Sequence, residues 1–123
     1  MELKECYNRF GGDFDDVFRR LRREQTVQKF IFKFLDDESF SKLEESIANK
    51  NNEEAFRAAH TLKGICQNLS FTKLYNSSAD LTEALRACDE QKAADIFPEV
   101  SYDYYQTINA IREYKEFQEK TNL

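Results

Sequence analysis

Apolar residues recur every three or four positions along most of this chain, the spacing of helices that bury one stripe. Leu3, Tyr7 and Phe10 predict a short helix over 3–10, ended by Gly11-Gly12. Asp13 is placed to cap a second helix carrying Phe14, Val17, Phe18 and Leu21, with Asp16 as an acidic first-turn residue. A third is expected from about Thr26 to Leu35 on Val27, Phe30, Ile31, Phe34 and Leu35, until Asp36-Asp37 breaks the pattern. A fourth spans about 39–49 and buries Phe40, Leu43 and Ile47. Asn51 and Glu54 have the spacing of a capping box ahead of a helix over 52–69. Ser70 or Thr72 starts the next, which reaches about Cys88 through Leu74, Ser78, Leu81 and Leu85. Asp89 caps the last helix, which reaches about Glu119 on Ile96, Val100, Tyr104, Ile108, Ile111 and Tyr114. Pro98 inside it predicts a kink or a break.

Three glycines and one proline in 123 residues leave little room for long irregular connections. The expected fold class is therefore all-α. The last three or four helices form an up-and-down bundle, and the short earlier ones pack across its end or side. The pattern predicts a single domain over 1–123, with an N-terminal helical extension over 1–38 and a bundle core over 39–120.

With 41% hydrophobic and 33% charged residues, the chain has the composition of a folded domain. Its net charge of −5 argues against a phosphate-backbone partner, so no nucleic acid is expected. Arg19, Arg20, Arg22 and Arg23 read as a solvated helix face. No apolar run is long enough for a membrane span, and the first residues lack the apolar core of a signal peptide, which predicts a cytoplasmic protein. Cys6, Cys66 and Cys88 are too far apart for a metal or redox motif, and Cys66 reads as a small buried hydrophobe. With one histidine, and Met1 as the only methionine, zinc or haem binding is not expected.

That single histidine, His60, holds the chemical interest. At 100° per residue, Ala55, Ala58, Ala59, Leu62, Ile65, Cys66 and Leu69 fall on one side of the 52–69 helix. His60, Lys63, Gly64 and Gln67 fall on the other. No carboxylate lies three or four residues from His60 to orient it as a base; those positions hold Phe56, Arg57, Lys63 and Gly64. Such a neighbourhood favours an added phosphoryl group. Lys63 can reach a phosphoryl oxygen on the ring, and Gly64 leaves space beside it despite costing about 1 kcal/mol in a helix. Gln67 extends the polar surface more weakly, and Phe56 is an aromatic contact for a partner.

The run His60-Thr61-Leu62-Lys63-Gly64, with Asn68-Leu69, Leu74 and Leu81-Thr82-Glu83-Ala84-Leu85, resembles the histidine-containing phosphotransfer (HPt) domain family of two-component phosphorelays. The approach Glu54-Ala55-Phe56-Arg57-Ala58-Ala59 fits as well. The resemblance spans about 40–115 and is sharpest over 53–86. It implies a four-helix bundle with His60 as phosphoacceptor at Nε2, Lys63 stabilising phosphoryl charge and Gly64 giving access. Phe56, Arg57 and Asn68 would face a partner. The implied partners are a response-regulator receiver domain, whose aspartate exchanges the phosphoryl group, and a hybrid histidine kinase. No intrinsic cofactor is implied; Mg²⁺ belongs to the receiver. The protein would be a monomeric phosphohistidine carrier and not an autonomous ATP-dependent kinase. Ser70 departs from the glycine common there in the family, and serine can cap the helix that follows.

Two rivals are weighed against this. A histidine-kinase dimerisation domain commonly has an acidic residue after its histidine, where this chain has Thr61, and no glycine-rich nucleotide loop is present. A non-catalytic adaptor would bind its partner through the Phe56/His60 face.

Overall fold

The computed structural model describes residues 1–121, so the last two of the expected 1–123 span lie outside it. Seven helices follow in order among the described residues. They are α1 (Leu3–Phe10), α2 (Phe14–Leu21), α3 (Glu24–Phe34), α4 (Ser39–Ala48), α5 (Asn52–Leu69), α6 (Thr72–Arg86) and α7 (Glu90–Thr121). α3 starts two residues earlier than the apolar pattern suggests, because its first turn is polar and leaves no hydrophobic signal.

α5 packs between α4 and α6, and α6 packs against α7. Their shared core includes Leu43, Leu62, Cys66, Leu74, Leu81, Val100, Ile108 and Ile111, each no more than 1% exposed. Aromatic rings close the bundle between α4 and α7. Phe40 stacks on Tyr104 with centroids 4.0 Å apart and planes 7° apart, and lies parallel to Phe97 at 6.0 Å. Large rings let two helices meet while their backbones stay apart.

The three short helices cover the bundle. α1 lies along α7: the Cys6 thiol donates to the Ala110 carbonyl at 3.5 Å, and Arg9 pairs with Glu113 at 2.7 Å. Tyr7 and Phe10 meet Phe71, itself completely buried, and Phe34 of α3 packs edge-on to the same ring. Gly11 ends α1 at φ +76°, a backbone state that disfavours a side chain. Of the expected buried positions, Phe30 stays 37% exposed and Leu35 and Ile47 are only partly covered; Phe18 of α2 is 38% exposed.

Two local readings are settled. Of the kink or break expected at Pro98, the break does not occur: α7 continues through it. Pro98 and Ala94, whose carbonyl loses its usual donor, are both exposed, so water can serve that carbonyl, while Ala93 and Val100 hold the helix to the core. Ser70 does not cap α6; it ends α5 in the left-handed region at φ +57°. This is the conformation glycine adopts most cheaply, so a serine here needs compensating contacts.

Candidate functional site

The site stands on α5, and both ends of that helix are tied down. At its start the Asn51 side chain accepts the Glu54 backbone N–H at 3.2 Å. The reciprocal half of the expected capping box is absent. The Asn51 N–H instead donates to the Ser46 carbonyl at 2.9 Å, and the Glu54 carboxylate pairs with Arg57. At its end the last carbonyls, which no helical donor reaches, find partners in the N-terminal helices. Arg20 donates to the Asn68 carbonyl at 2.5 Å, to that of Gln67 at 3.3 Å and to the Ser70 hydroxyl at 2.7 Å. The Tyr7 hydroxyl donates to the Leu69 carbonyl at 2.8 Å. A guanidinium at a helix C-terminus also meets the negative end of the helix dipole. Ser70 donates in turn to Asp16 at 2.7 Å, and Arg20 pairs with Asp16 at 2.5 Å. These hydrogen bonds, Ser70's first, hold the Asp16 carboxyl down at about 2.

Along the middle of α5, Ala55, Ala58, Ala59, Leu62, Cys66 and Leu69 are buried. His60 is exposed on the opposite side, with Lys63 and Gly64 half-buried and Gln67 exposed beyond it. A methyl group built on Gly64 would meet nothing within 4 Å. No neighbouring helix requires the glycine, so the space beside His60 is open on the solvent side. Lys63 has no ion-pair partner among the described residues, so its ammonium is available to an incoming anion.

The Phe56 ring meets His60 edge-on, with centroids 5.9 Å apart and planes at 71°. Over Phe56, at 4.9 Å from its centroid, lies the Arg86 guanidinium of α6, also paired with Glu83 at 3.1 Å. Sequence reasoning missed Arg86, because no local spacing connects it to His60. The antiparallel register of α5 and α6 carries the signal. Phe56 and Arg86 each lie fifteen residues from Phe71 at the turn, which brings them level across the hairpin.

Arg57 is placed differently from Phe56. Its guanidinium is held by Glu53 at 2.6 Å and by Glu54, so its charge is largely neutralised and drawn toward the start of α5. Asn68, two turns beyond His60, is exposed and edges a cleft of about 450 Å³ between α5, α2 and α3. Leu21, Phe30, Phe34, Ile65 and Leu69 form the apolar lining of that cleft, with Arg20, Lys33 and Asp37 around it.

Cys66 is buried, and burial pushes its thiol up, consistent with a packing role. Among the described residues no group of three or more His, Cys, Asp or Glu side chains could hold a metal ion, and no helix is long and apolar enough to cross a membrane. The family model of the Hpt domain matches residues 32–114. No curated protein and no solved structure matches the chain.

Proposed function

This chain belongs to the Hpt domain family, whose members serve histidine phosphotransfer in two-component signalling, and on that premise we propose that His60 accepts and returns the phosphoryl group. The observation that carries the reading is the pairing of an exposed histidine with an open Gly64 flank on a helix anchored at both ends. The donor and acceptor is the aspartate of a response-regulator receiver domain, which supplies Mg²⁺ through its own carboxylates. In the forward step the Nε2 lone pair of neutral His60 attacks phosphorus. The P–O bond to the aspartate breaks and its electron pair leaves on the carboxylate. The charge left on the ring is relieved when the Nδ1 proton passes to water, and the reverse sequence returns the phosphoryl group.

Lys63 offsets charge on the transferring oxygens, while Phe56 limits the tilt of the imidazole from the other side. Arg86, paired with Glu83, covers the outer face of the Phe56 ring and so helps hold the ring that flanks His60. Rigidity is the chief contribution of this chain, since in-line transfer depends on position more than on acid–base chemistry.

The test is incubation with phosphorylated, Mg²⁺-loaded receiver domains, wild type beside His60→Gln. Acid-labile phosphate on the wild type alone is expected. No label on either, with several receivers tried, would leave a non-catalytic adaptor acting through the Phe56/His60 face.

A further inference from the structure

The helices ahead of the bundle concentrate positive charge that the rest of the chain lacks. Between residues 19 and 33 stand six arginines and lysines against one carboxylate, Glu24, whereas the whole chain carries −5. In the sequence the arginines read as a solvated helix face, and the structure divides them. Arg19 and Arg20 are engaged by Asp16, and Arg20 also by the end of α5. Arg22, Arg23 and Lys29 are exposed and have no ion-pair partner among the described residues. Arg23 and Lys29 edge one shallow depression together with Gln25 and Thr26, so cations and neutral donors converge on the same spot. Thr26, Lys29, Phe30 and Lys33 stand at three- and four-residue steps, which sets them on one outer stripe of α3. Phe30 is 37% exposed there, while Val27, Ile31 and Phe34 turn into the core. Lys33, at the far end, has Asp37 in its surroundings, so the free charge is that of Arg22, Arg23 and Lys29.

We propose that this stripe is a peripheral attachment site for an anionic lipid surface, with headgroup phosphates held by Arg22, Arg23 and Lys29 and the Phe30 ring entering the headgroup layer. The inference stands apart from the phosphotransfer reading. Charge complementarity selects an anionic occupant. The exposed ring beside the cations selects among anions. A free phosphate ester gives that ring nothing to cover, whereas a membrane interface takes an aromatic side chain at headgroup depth. A nucleic-acid strand fits less well. It needs basic surface along its path and successive rings to stack on, and Asp36, Asp37 and Glu38 follow α3 directly. Stable peripheral binding takes two signals, and here they are a short basic cluster and one apolar group. The carboxylates that dominate the rest of the chain are repelled by the same lipid surface, which limits contact to this stripe and fixes the side of the protein that faces it.

The test is co-sedimentation with vesicles of phosphatidylcholine alone, or of phosphatidylcholine with about one third phosphatidylglycerol. Wild type is compared with the triple variant Arg22→Gln, Arg23→Gln, Lys29→Gln, whose positions are exposed and whose fold is checked by circular dichroism. The chain has no tryptophan, so Phe30→Trp places a single emission probe on the stripe. Wild type is expected to bind the anionic vesicles only, and to be released as salt rises from about 0.02 to about 0.5 M. Affinity in the triple variant should fall about tenfold or more. The emission of the Phe30→Trp variant should shift to the blue on the anionic vesicles. Equal binding to both kinds of vesicle, equal binding of wild type and triple variant, or no binding at low salt would each overturn the proposal. Unshifted tryptophan emission would overturn it too; if inorganic pyrophosphate then releases the vesicles, the cations hold a soluble phosphate. Capture of a single-stranded oligonucleotide that the triple variant loses, without vesicle binding, would overturn it in favour of nucleic acid.

Discussion

Gly11 and Gly64 are glycines for different reasons, and the difference can be measured. Gly11 is bound to its backbone conformation at φ +76°. Gly64 lies in ordinary helix with open space where a side chain would project. Gly64→Ala should therefore raise stability by about 0.5–1 kcal/mol, read as a higher urea midpoint. Gly64→Phe should remain folded yet lose transfer from a receiver by a large factor, with phosphoramidate labelling less affected; equal transfer would show that the open flank serves no partner. Lys63→Ala should slow transfer by about tenfold or more with thermal stability unchanged, as followed by rapid-quench kinetics. His60 and its neighbours were legible because polar and apolar residues segregate cleanly around α5. Arg57 and Arg86 were not. Spacing alone places Arg57 near the ring, but Glu53 and Glu54 compete for it, and Arg86 arrives from another helix.

Among the elements, α5 depends most on what meets its C-terminus. The Asp16–Arg20–Ser70 group compensates a left-handed serine that costs roughly 1 kcal/mol. The Asp16 carboxyl titrates at about 2 when folded, below the usual value of about 3.9. The unfolded chain thus binds the proton more readily. The stabilisation is complete above about pH 4–5 and is lost as pH falls toward 2. Asp16→Asn should accordingly be less stable than wild type at pH 7, and the two should converge below about pH 2; a constant gap would sink this account. α7 offers a second test. Pro98→Ala restores a donor to Ala94 on an exposed face and should stabilise the protein by up to about 3 kcal/mol, read by chemical denaturation. The break expected at Pro98 does not occur because intrinsic helix preference is set locally, whereas the buried Ala93 and Val100 on either side hold the backbone through tertiary packing.

For the molecule as a whole, the helix order and most of the core follow from apolar periodicity, whereas the closure of the bundle does not. Periodicity shows that Phe40 is buried but not that it stacks on Tyr104 and Phe97 across α4 and α7. Phe40→Ala should cost about 3–5 kcal/mol and lower the melting temperature without abolishing helicity; a loss under 1 kcal/mol would mean α4 is held by other contacts. The cover formed by α1 was equally hidden, since nothing local tells a short helix where to lie. Its seat on α7 also sets an order of assembly. Cys6 reaches Ala110 and Arg9 reaches Glu113 across 104 residues of chain, whereas α4, α5 and α6 join through neighbours in sequence. During synthesis Tyr7 and Phe10 meet Phe71 once the α5–α6 turn has formed, whereas the Cys6 and Arg9 side of the helix waits for α7. The hairpin carrying His60 is complete before α7 exists, so the surface that displays His60 and the contacts at the end of α5 form first, and the seat of α1 on α7 closes last.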